Sequence, residues 1–154
     1  MELKNNELFK ENCFIGGKWI ESNSGEKIDV DNPANGEIIG KVPKCSTSET
    51  SKAIDEAQKA FPAWRDKTAK ERSVILQKWA RLIEENVDDL AKIMTVEQGK
   101  PLAEAKGEIL MGVTYIDFYA EEGKRVYGDI ISDPMPDRRI VVIKQPVGVV
   151  GAIT

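Results

Sequence analysis

The chain has 154 residues, of which 41% are hydrophobic and 31% are charged, and its formal net charge is -4. This length is sufficient for one domain with a hydrophobic core, and the composition excludes collagen-like, disordered and disulfide-scaffold proteins. The slightly acidic balance offers no basic surface for nucleic acid or for an anionic membrane, so we expect neither as a partner.

The N-terminal segment, MELKNNELFKENCF, is polar and mixed in charge. It contains no apolar stretch of signal-peptide length, and no run in the chain reaches the ~18 to 20 apolar residues of a membrane span. We therefore expect a cytoplasmic protein. Cys13 and Cys45 are expected to be structural free thiols, since a reducing compartment disfavours the single bridge that they could form.

The sequence contains no histidine. The chain by itself therefore cannot supply a Ser-His or Cys-His pair, a histidine-rich zinc site or an imidazole acid-base group. This excludes most hydrolase mechanisms for the chain alone.

Short strands and turns are predicted for the first third of the chain. The segment CFIGGKWI places two apolar runs around Gly16 and Gly17, which is typical of a two-residue β-hairpin turn. A second hairpin is predicted in IDVDNPANGEIIGKV, whose turn-forming residues are Asn32, Pro33, Asn35 and Gly36. Such ribbons require a further surface on which to pack.

Helices are predicted next. The spacing of Ser46 and Glu49 is that of a capping box, and apolar residues at helical period follow until Pro62, where the first helix is expected to end. Thr68 and Glu71 form a second capping box. The apolar stripe behind it continues to about residue 96, with a break allowed near residues 86–89, and it comprises Ile75, Leu76, Trp79, Leu82, Ile83, Val87, Leu90 and Met94.

A third long helix is predicted from Pro101 to about Glu122, between the helix-ending residues Gly99 and Gly123. Its expected buried residues are Leu102, Ala105, Ile109, Val113, Ile116 and Ala120. The acidic pairs along the helices are interpreted as solvated faces, because adjacent helical side chains point in different directions. These pairs are Glu84-Glu85, Asp88-Asp89 and Glu121-Glu122.

The C-terminal part is rich in strand-forming residues. RIVVIKQ is predicted to be one strand, Pro146 interrupts it, and VGVVGAIT is predicted to be a second. A continuous apolar run of this kind is typical of a parallel strand that is buried on both faces, and ligands bind just beyond the carboxyl ends of such strands. Because a parallel sheet requires partner strands, we expect the chain to be the front part of a larger protein.

Six segments occur in an order that resembles a known family. They are FIGGKWIESNSGEKIDVDNPANGEIIGKVP, AIDEAQKAFPAWR, KERSVILQKWARLI, TVEQGKPLAEAKGEI, EEGKRVYGD and IVVIKQPVGVVGAIT. From about Leu8 to Thr154 the chain resembles the N-terminal third of the aldehyde dehydrogenases. The segments VEQGKPLAEAKGE and FYAEEGKRVYGD are most similar to members that oxidise succinate semialdehyde, with glutarate-semialdehyde enzymes as close relatives.

The resemblance implies an α/β fold, of which this chain would supply a truncated N-terminal part. Residues 1–127 would be early strands and helices of the cofactor-binding domain. Residues 128–145 would be strands of an antiparallel arm through which the full protein forms a homo-oligomer. Residues 146–154 would be a strand of the dinucleotide-binding sheet.

The implied chemistry is the NAD- or NADP-dependent oxidation of an aldehyde. In the family a cysteine thiolate attacks the aldehyde, amide groups stabilise the oxyanion, the nicotinamide accepts hydride, and a glutamate activates water. The family's nucleophile and base glutamate are expected after Thr154, so the chain alone is expected to be inactive. The alternative is a non-catalytic module that pairs with a full-length subunit.

The resemblance also implies site residues. Ile153 and Thr154 would border the cofactor, and the third helix would line the substrate tunnel with Met111, Gly112, Tyr115 and Phe118. Aromatic residues at helical spacing are, alternatively, typical of a core. The Glu97 carboxylate and backbone carbonyls near Val30 and Asp31 would bind a structural monovalent cation, whose preferred ligands are oxygens; the alternative for Glu97 is a solvent-facing carboxylate at a helix end.

Overall fold

The computed structural model describes residues 1–153. Its N-terminal part contains a 3₁₀ turn at Asn6–Leu8 and two antiparallel hairpins. The first hairpin pairs β1 (Cys13–Ile15) with β2 (Lys18–Ile20), and the second pairs β3 (Lys27–Asp31) with β4 (Ile38–Pro43). Both predicted hairpins are therefore confirmed.

The turn between β1 and β2 requires glycine. Gly16 and Gly17 have φ angles of 60° and 78°. Successive positive φ angles define the two-residue turn whose twist matches that of paired strands, and side chains other than glycine are strained there.

The first helix, α1 (Thr47–Arg65), begins at the predicted capping box. Ser46 and Glu49 cap one another reciprocally, as the sequence spacing indicates. The predicted end at Pro62 is wrong, because the helix continues to Arg65. Proline removes one N–H donor but keeps a helical φ angle, and its own carbonyl accepts a hydrogen bond from the Asp66 N–H at 2.9 Å.

The second apolar stripe forms two helices, α2 (Ala69–Glu85) and α3 (Val87–Gln98), and the allowed break occurs at Asn86. Thr68 caps α2 through the predicted capping box. The Asn86 side chain donates to the Leu82 carbonyl at 2.8 Å, which satisfies one acceptor at the helix end. Gly99 ends α3 with a φ angle of 81°.

The third predicted helix is α4 (Leu102–Glu122), followed by a 3₁₀ turn at Gly123–Arg125. It packs on both α2 and α3. Apart from Asp89, the side chains that are buried in this helical layer are small, namely Ser73, Ala80, Ala91, Ala105, Val113 and Ala120. Small side chains let helix backbones approach closely, so the larger residues stand at the edges of each contact.

Several predicted core residues are consequently more exposed than expected. Ile109 and Ile116 are half-buried, but Leu102 is 49% exposed, so its predicted burial is wrong. Ile75, Trp79 and Leu82 of the predicted stripe are also exposed. The helical layer therefore presents a large apolar surface on the side that faces away from its contacts.

The C-terminal part contains one more hairpin, formed by β5 (Asp129–Ser132) and β6 (Arg139–Val142). The predicted strand in RIVVIKQ is thus present but shorter. In the described part of the next segment, residues 146–153, no strand forms. A strand is defined by its hydrogen-bonded neighbour, and none of the described strands pairs with this segment.

None of the helices within residues 1–153 combines the length and the apolar character that a membrane crossing requires.

Candidate functional site

An aromatic surface lies on α4. Met111, Tyr115 and Phe118 are each more than half exposed, and their spacing of four and three residues places them on one side of the helix. Tyr119 extends this surface, because its ring meets that of Phe118 edge-on with centroids 5.2 Å apart. We call these four residues the α4 aromatic face.

Sequence reasoning missed Tyr119, although its position four residues after Tyr115 is a signal that could have found it. A shallow cavity of about 360 Å³ lies against Thr114, Tyr115, Phe118 and Tyr119. The alternative interpretation of these aromatic residues as core is not supported in this chain, because all of them are exposed.

Gly112 belongs to a different surface. It lines a groove of about 570 Å³ between α3 and α4, which we call the α3–α4 groove. Consecutive residues of an α-helix are rotated by about 100° about its axis, so Gly112 lies on a different side of α4 from Met111. The lining residues are Ile83, Leu90, Ile93, Met94, Glu97, Gln98, Ile109, Gly112 and Ile116.

The predicted cation ligands lie on two neighbouring segments. Glu97 is exposed at the end of α3 and lines the α3–α4 groove, whereas Val30 and Asp31 end β3. The turn after β3 packs on the end of α3, since a Cβ atom at Gly99 would lie 3.0 Å from Pro33 Cγ. Within residues 1–153, no cluster of three acidic or cysteine side chains could hold a metal ion.

One of the two predicted cofactor residues lies in the described part of the chain. Ile153 is fully exposed, and Thr154 lies outside the described residues. A nicotinamide cofactor requires a cradle for its phosphates and a wall for its ring, and residues 146–153 form no helix or strand of their own. The placement of Ile153 and Thr154 beside a nicotinamide cofactor therefore stays a prediction.

Two buried carboxylates have structural roles. Glu49 is 3% exposed and accepts hydrogen bonds from the Ser46 hydroxyl at 2.6 Å, the Asn23 N–H at 2.8 Å and the Ser46 N–H at 2.7 Å. These donors, above all the Ser46 hydroxyl, lower the pKa of Glu49 to about 2. Glu49 is therefore ionised and fully engaged, so it is unsuited to proton transfer at neutral pH.

Asp89 is the second buried carboxylate, and its burial corrects the interpretation of Asp88-Asp89 as a solvated pair. Backbone amides of Lys4 and Asn5 hold the pKa of Asp89 below its ordinary value, and the Asn5 N–H lies 2.8 Å from Oδ2. Its neighbour Asp88 is exposed and pairs with Lys106 at 2.7 Å. Asp89 thus anchors the N-terminal segment to α3.

The two cysteines are both free, as predicted. Their sulfur atoms, however, lie only 3.7 Å apart, which the sequence alone did not indicate. Partial desolvation and the contact with Cys13 raise the pKa of the Cys45 thiol. A nucleophilic cysteine needs the opposite shift, so the structure gives Cys45 none of the activation that a catalytic thiolate has.

Comparison with known proteins places this arrangement in one class. Residues 19–154 match the aldehyde dehydrogenase family, and the chain belongs to that family. The predicted fold class, a truncated part of the aldehyde dehydrogenase α/β fold, is thereby confirmed.

Two curated relatives show how similar the chain is to individual members of the family. The chain is 56% identical to the glutarate-semialdehyde dehydrogenase of Pseudomonas putida and 55% identical to the NADP(+) succinate-semialdehyde dehydrogenase of Escherichia coli. Both matches cover 100% of this chain and 32% of the relative, so the chain spans about a third of these relatives' length.

A solved structure shows the same likeness in three dimensions. The succinate-semialdehyde dehydrogenase from Burkholderia pseudomallei superposes with a TM-score of 0.93 at 49% identity. The superposition covers 96% of this chain and 31% of that one.

Proposed function

We propose that the chain is the N-terminal portion of an NAD- or NADP-dependent dehydrogenase that oxidises succinate semialdehyde to succinate. The observation that carries this proposal is the identity above 50%, over the whole chain, to dehydrogenases named for succinate and glutarate semialdehyde. Glutarate semialdehyde, which is longer by one methylene group, is the alternative substrate.

In this proposal the chain provides part of the structural framework of the full-length enzyme and one side of the tunnel through which the aldehyde enters. The α4 aromatic face, together with Gly112 in the neighbouring groove, would border the entrance for the aldehyde. The exposure of Met111, Tyr115 and Phe118 supports this role, since their apolar surface is available to the rest of the enzyme.

The catalytic cysteine and the base glutamate would lie outside these residues. The raised pKa of the Cys45 thiol supports a structural role for that residue. The 154-residue chain alone is therefore proposed to have no dehydrogenase activity.

Residues 128–145 are proposed to be the oligomerisation arm. Within residues 1–153 the β5–β6 hairpin consists of two strands and exposes nearly all of its side chains, so its outer edges are available for pairing with another subunit's sheet. Residues 146–154 are proposed to become a strand of the cofactor-binding sheet when partner strands are present, which would place Ile153 and Thr154 beside the cofactor.

A structural cation is proposed between Glu97 and the backbone carbonyls of Val30 and Asp31. The support is the packing of the Pro33 turn on Gly99, which brings the two segments next to each other. A monovalent cation would take these oxygens because it prefers hard ligands.

The test is to express the chain together with the continuation of its source reading frame and to follow NADH and NADPH formation. Succinate semialdehyde, glutarate semialdehyde and an uncharged aliphatic aldehyde would be compared by kcat/KM. We expect the first to be preferred. A preference for the uncharged aldehyde would contradict the substrate assignment, and turnover by the 154-residue chain alone would contradict the placement of the catalytic groups.

A further inference from the structure

The fold brings two cysteines together that are 32 positions apart in the sequence. Cys13 opens β1, and Cys45 lies between the end of β4 and the cap of α1. Their Sγ atoms are 3.7 Å apart. The β1–β2 hairpin lies against α1, since a Cβ atom at Gly16 would meet the Glu56 side chain at 3.1 Å.

We propose that Cys13 and Cys45 form a reversible disulfide when the protein meets a peroxide. The two thiols differ in access, because Cys45 is exposed and Cys13 is half-buried. Cys45 is thus the thiol that a peroxide in solution reaches first, and Cys13 is the resolving thiol beside it. This inference concerns the fold itself and is independent of the proposed dehydrogenase activity.

The reaction is balanced in two steps. The Cys45 thiolate attacks one oxygen of hydrogen peroxide, which gives a sulfenic acid at Cys45 and releases the other oxygen as water after protonation. The Cys13 sulfur then attacks Cys45 Sγ, the S–S bond forms, and the sulfenic oxygen leaves as a second water. Two thiols and one peroxide become one disulfide and two waters, and a dithiol reductant reverses the change.

The required movement is small. A disulfide bond is about 2.05 Å long, so the sulfur atoms have to approach by about 1.7 Å from their 3.7 Å separation. Cys45 belongs to the connection between β4 and α1 rather than to either element, so its side chain can turn without breaking a strand or helix. The bridge would fasten β1 to the start of α1.

The oxidation is expected to be slow at neutral pH. Partial desolvation, the Cys13 contact and the nearby Glu49 carboxylate all raise the pKa of Cys45, which keeps its reactive thiolate scarce. An equilibrium measurement therefore tests the pair better than a rate does, because equilibrium depends on how the fold holds the two sulfurs and not on how fast peroxide reacts.

The experiment equilibrates the 154-residue chain with mixtures of reduced and oxidised glutathione. The reaction is stopped with acid, free thiols are alkylated, and the Cys13–Cys45 peptide pair is quantified by mass spectrometry. The same titration is repeated in concentrated guanidinium chloride. We expect the effective concentration of the thiol pair to be about 100-fold or more higher in buffer than in denaturant, a shift of about 60 mV.

Two variants serve as controls. Cys13→Ser and Cys45→Ser each retain a single thiol and should give only a mixed disulfide with glutathione. In a separate arm, hydrogen peroxide should yield the intramolecular disulfide in the unsubstituted chain and further oxidised sulfur in Cys13→Ser.

The proposal is overturned by either of two results. One is an effective concentration that agrees within about threefold between buffer and denaturant, which would mean that the fold does not hold the sulfurs together. The other is glutathione on both cysteines in buffer with no intramolecular bridge.

Discussion

The helical layer of α2, α3 and α4 has a packed interior, and the C-terminal hairpin of β5 and β6 has none. In the helical layer, Ala105 and Ala120 are completely enclosed by neighbouring helices. In the hairpin, Ile130 is 78% exposed and Val141 is 67% exposed, and within residues 1–153 the two strands that carry them pair with each other alone. The helices therefore bury small side chains where they pack on one another and leave larger ones such as Trp79 exposed, whereas the hairpin buries none of its side chains.

The difference shows which parts of the chain are specified locally. Helix ends are determined by short-range signals such as the Ser46 and Thr68 capping boxes, and close packing of small residues completes the layer. A two-stranded hairpin with exposed apolar residues lacks a surface of its own and is marginal until something covers it. Substitutions should consequently affect folding in the first region and association in the second.

The largest expected effect is at the centre of the helical layer. Ala105→Leu adds three carbon atoms where the side chain is fully enclosed. Neighbouring helices must therefore move apart, or nearby side chains must adopt unfavourable rotamers. We expect the free energy of unfolding to fall by about 2 to 3 kcal/mol, as measured by urea denaturation.

The matched control is Ala103→Leu, the same substitution two residues away at an exposed position of α4. It should change the free energy of unfolding by less than about 0.5 kcal/mol. Equal effects of the two substitutions would mean that the helical layer is not closely packed in solution.

The next largest effect is expected in the pH dependence of the stability that Glu49 contributes. Its pKa is lowered from 4.5 to about 2 in the folded chain, so the unfolded chain takes up the proton first as the pH falls. The stability that Glu49 contributes is complete above pH 4.5 and is lost as the pH falls to about 2. Glu49→Gln should be less stable than the unsubstituted chain at neutral pH, and the two urea midpoints should converge across this window.

Glu71→Gln is the comparison, because Glu71 occupies the same position in the second capping box but is exposed. Hydrogen bonds from Thr68 also lower the pKa of Glu71, so the stability that Glu71 contributes is likewise lost as the pH falls. Because exposure to water screens these interactions, the urea midpoints of Glu71→Gln and the unsubstituted chain should differ less at neutral pH, and should change less with pH, than those of Glu49→Gln. A larger pH dependence of stability for Glu71→Gln than for Glu49→Gln would contradict the expectation that the buried carboxylate contributes more.

A smaller effect is expected at the cap of α1. Ser46→Ala removes the hydroxyl that both caps the helix and donates to Glu49, and it should cost about 1 kcal/mol of unfolding free energy. Ser51→Ala, at an exposed site in the same helix, should be neutral or slightly stabilising because alanine is the better helix former. Thermal melts followed by circular dichroism would separate the two variants.

The elements with local signals could be predicted from the sequence, and those that depend on distant contacts could not. The glycine turn at Gly16, both capping boxes and the helix break at Asn86 follow from residues within one turn of each feature. The exposure of Leu102 and the burial of Asp89 depend on how segments far apart in sequence pack. No local pattern encodes either.

The same distinction applies to the candidate site. The family resemblance grouped Met111, Tyr115 and Phe118 with Gly112, but the separate groove that contains Gly112 depends on the position of α3. The 3.7 Å approach of the cysteine sulfurs requires the packing of the β1–β2 hairpin on α1, which sequence spacing does not express. Contacts across segments were therefore the part that sequence reasoning could not supply.

The smallest effect on folding, and the sharpest test of the comparison, is expected in the hairpin. Ile130→Lys replaces an exposed apolar side chain by a charge, so the free energy of unfolding should change by less than about 0.5 kcal/mol. The unsubstituted chain is expected to associate in solution through its unprotected strand edges, and a charged side chain on an edge strand opposes such pairing. Light scattering at matched concentrations should therefore show less association for Ile130→Lys.

Ile54→Lys is the control, since Ile54 is 54% exposed on α1 and far in sequence from the hairpin. It removes a similar apolar side chain without touching a strand edge, so association should persist. If both substitutions abolish association, general surface hydrophobicity and not the hairpin is responsible. If the unsubstituted chain is a monomer at every concentration, the exposed apolar residues of β5 and β6 do not cause association. The helical layer and the hairpin would then differ only in how closely their side chains pack.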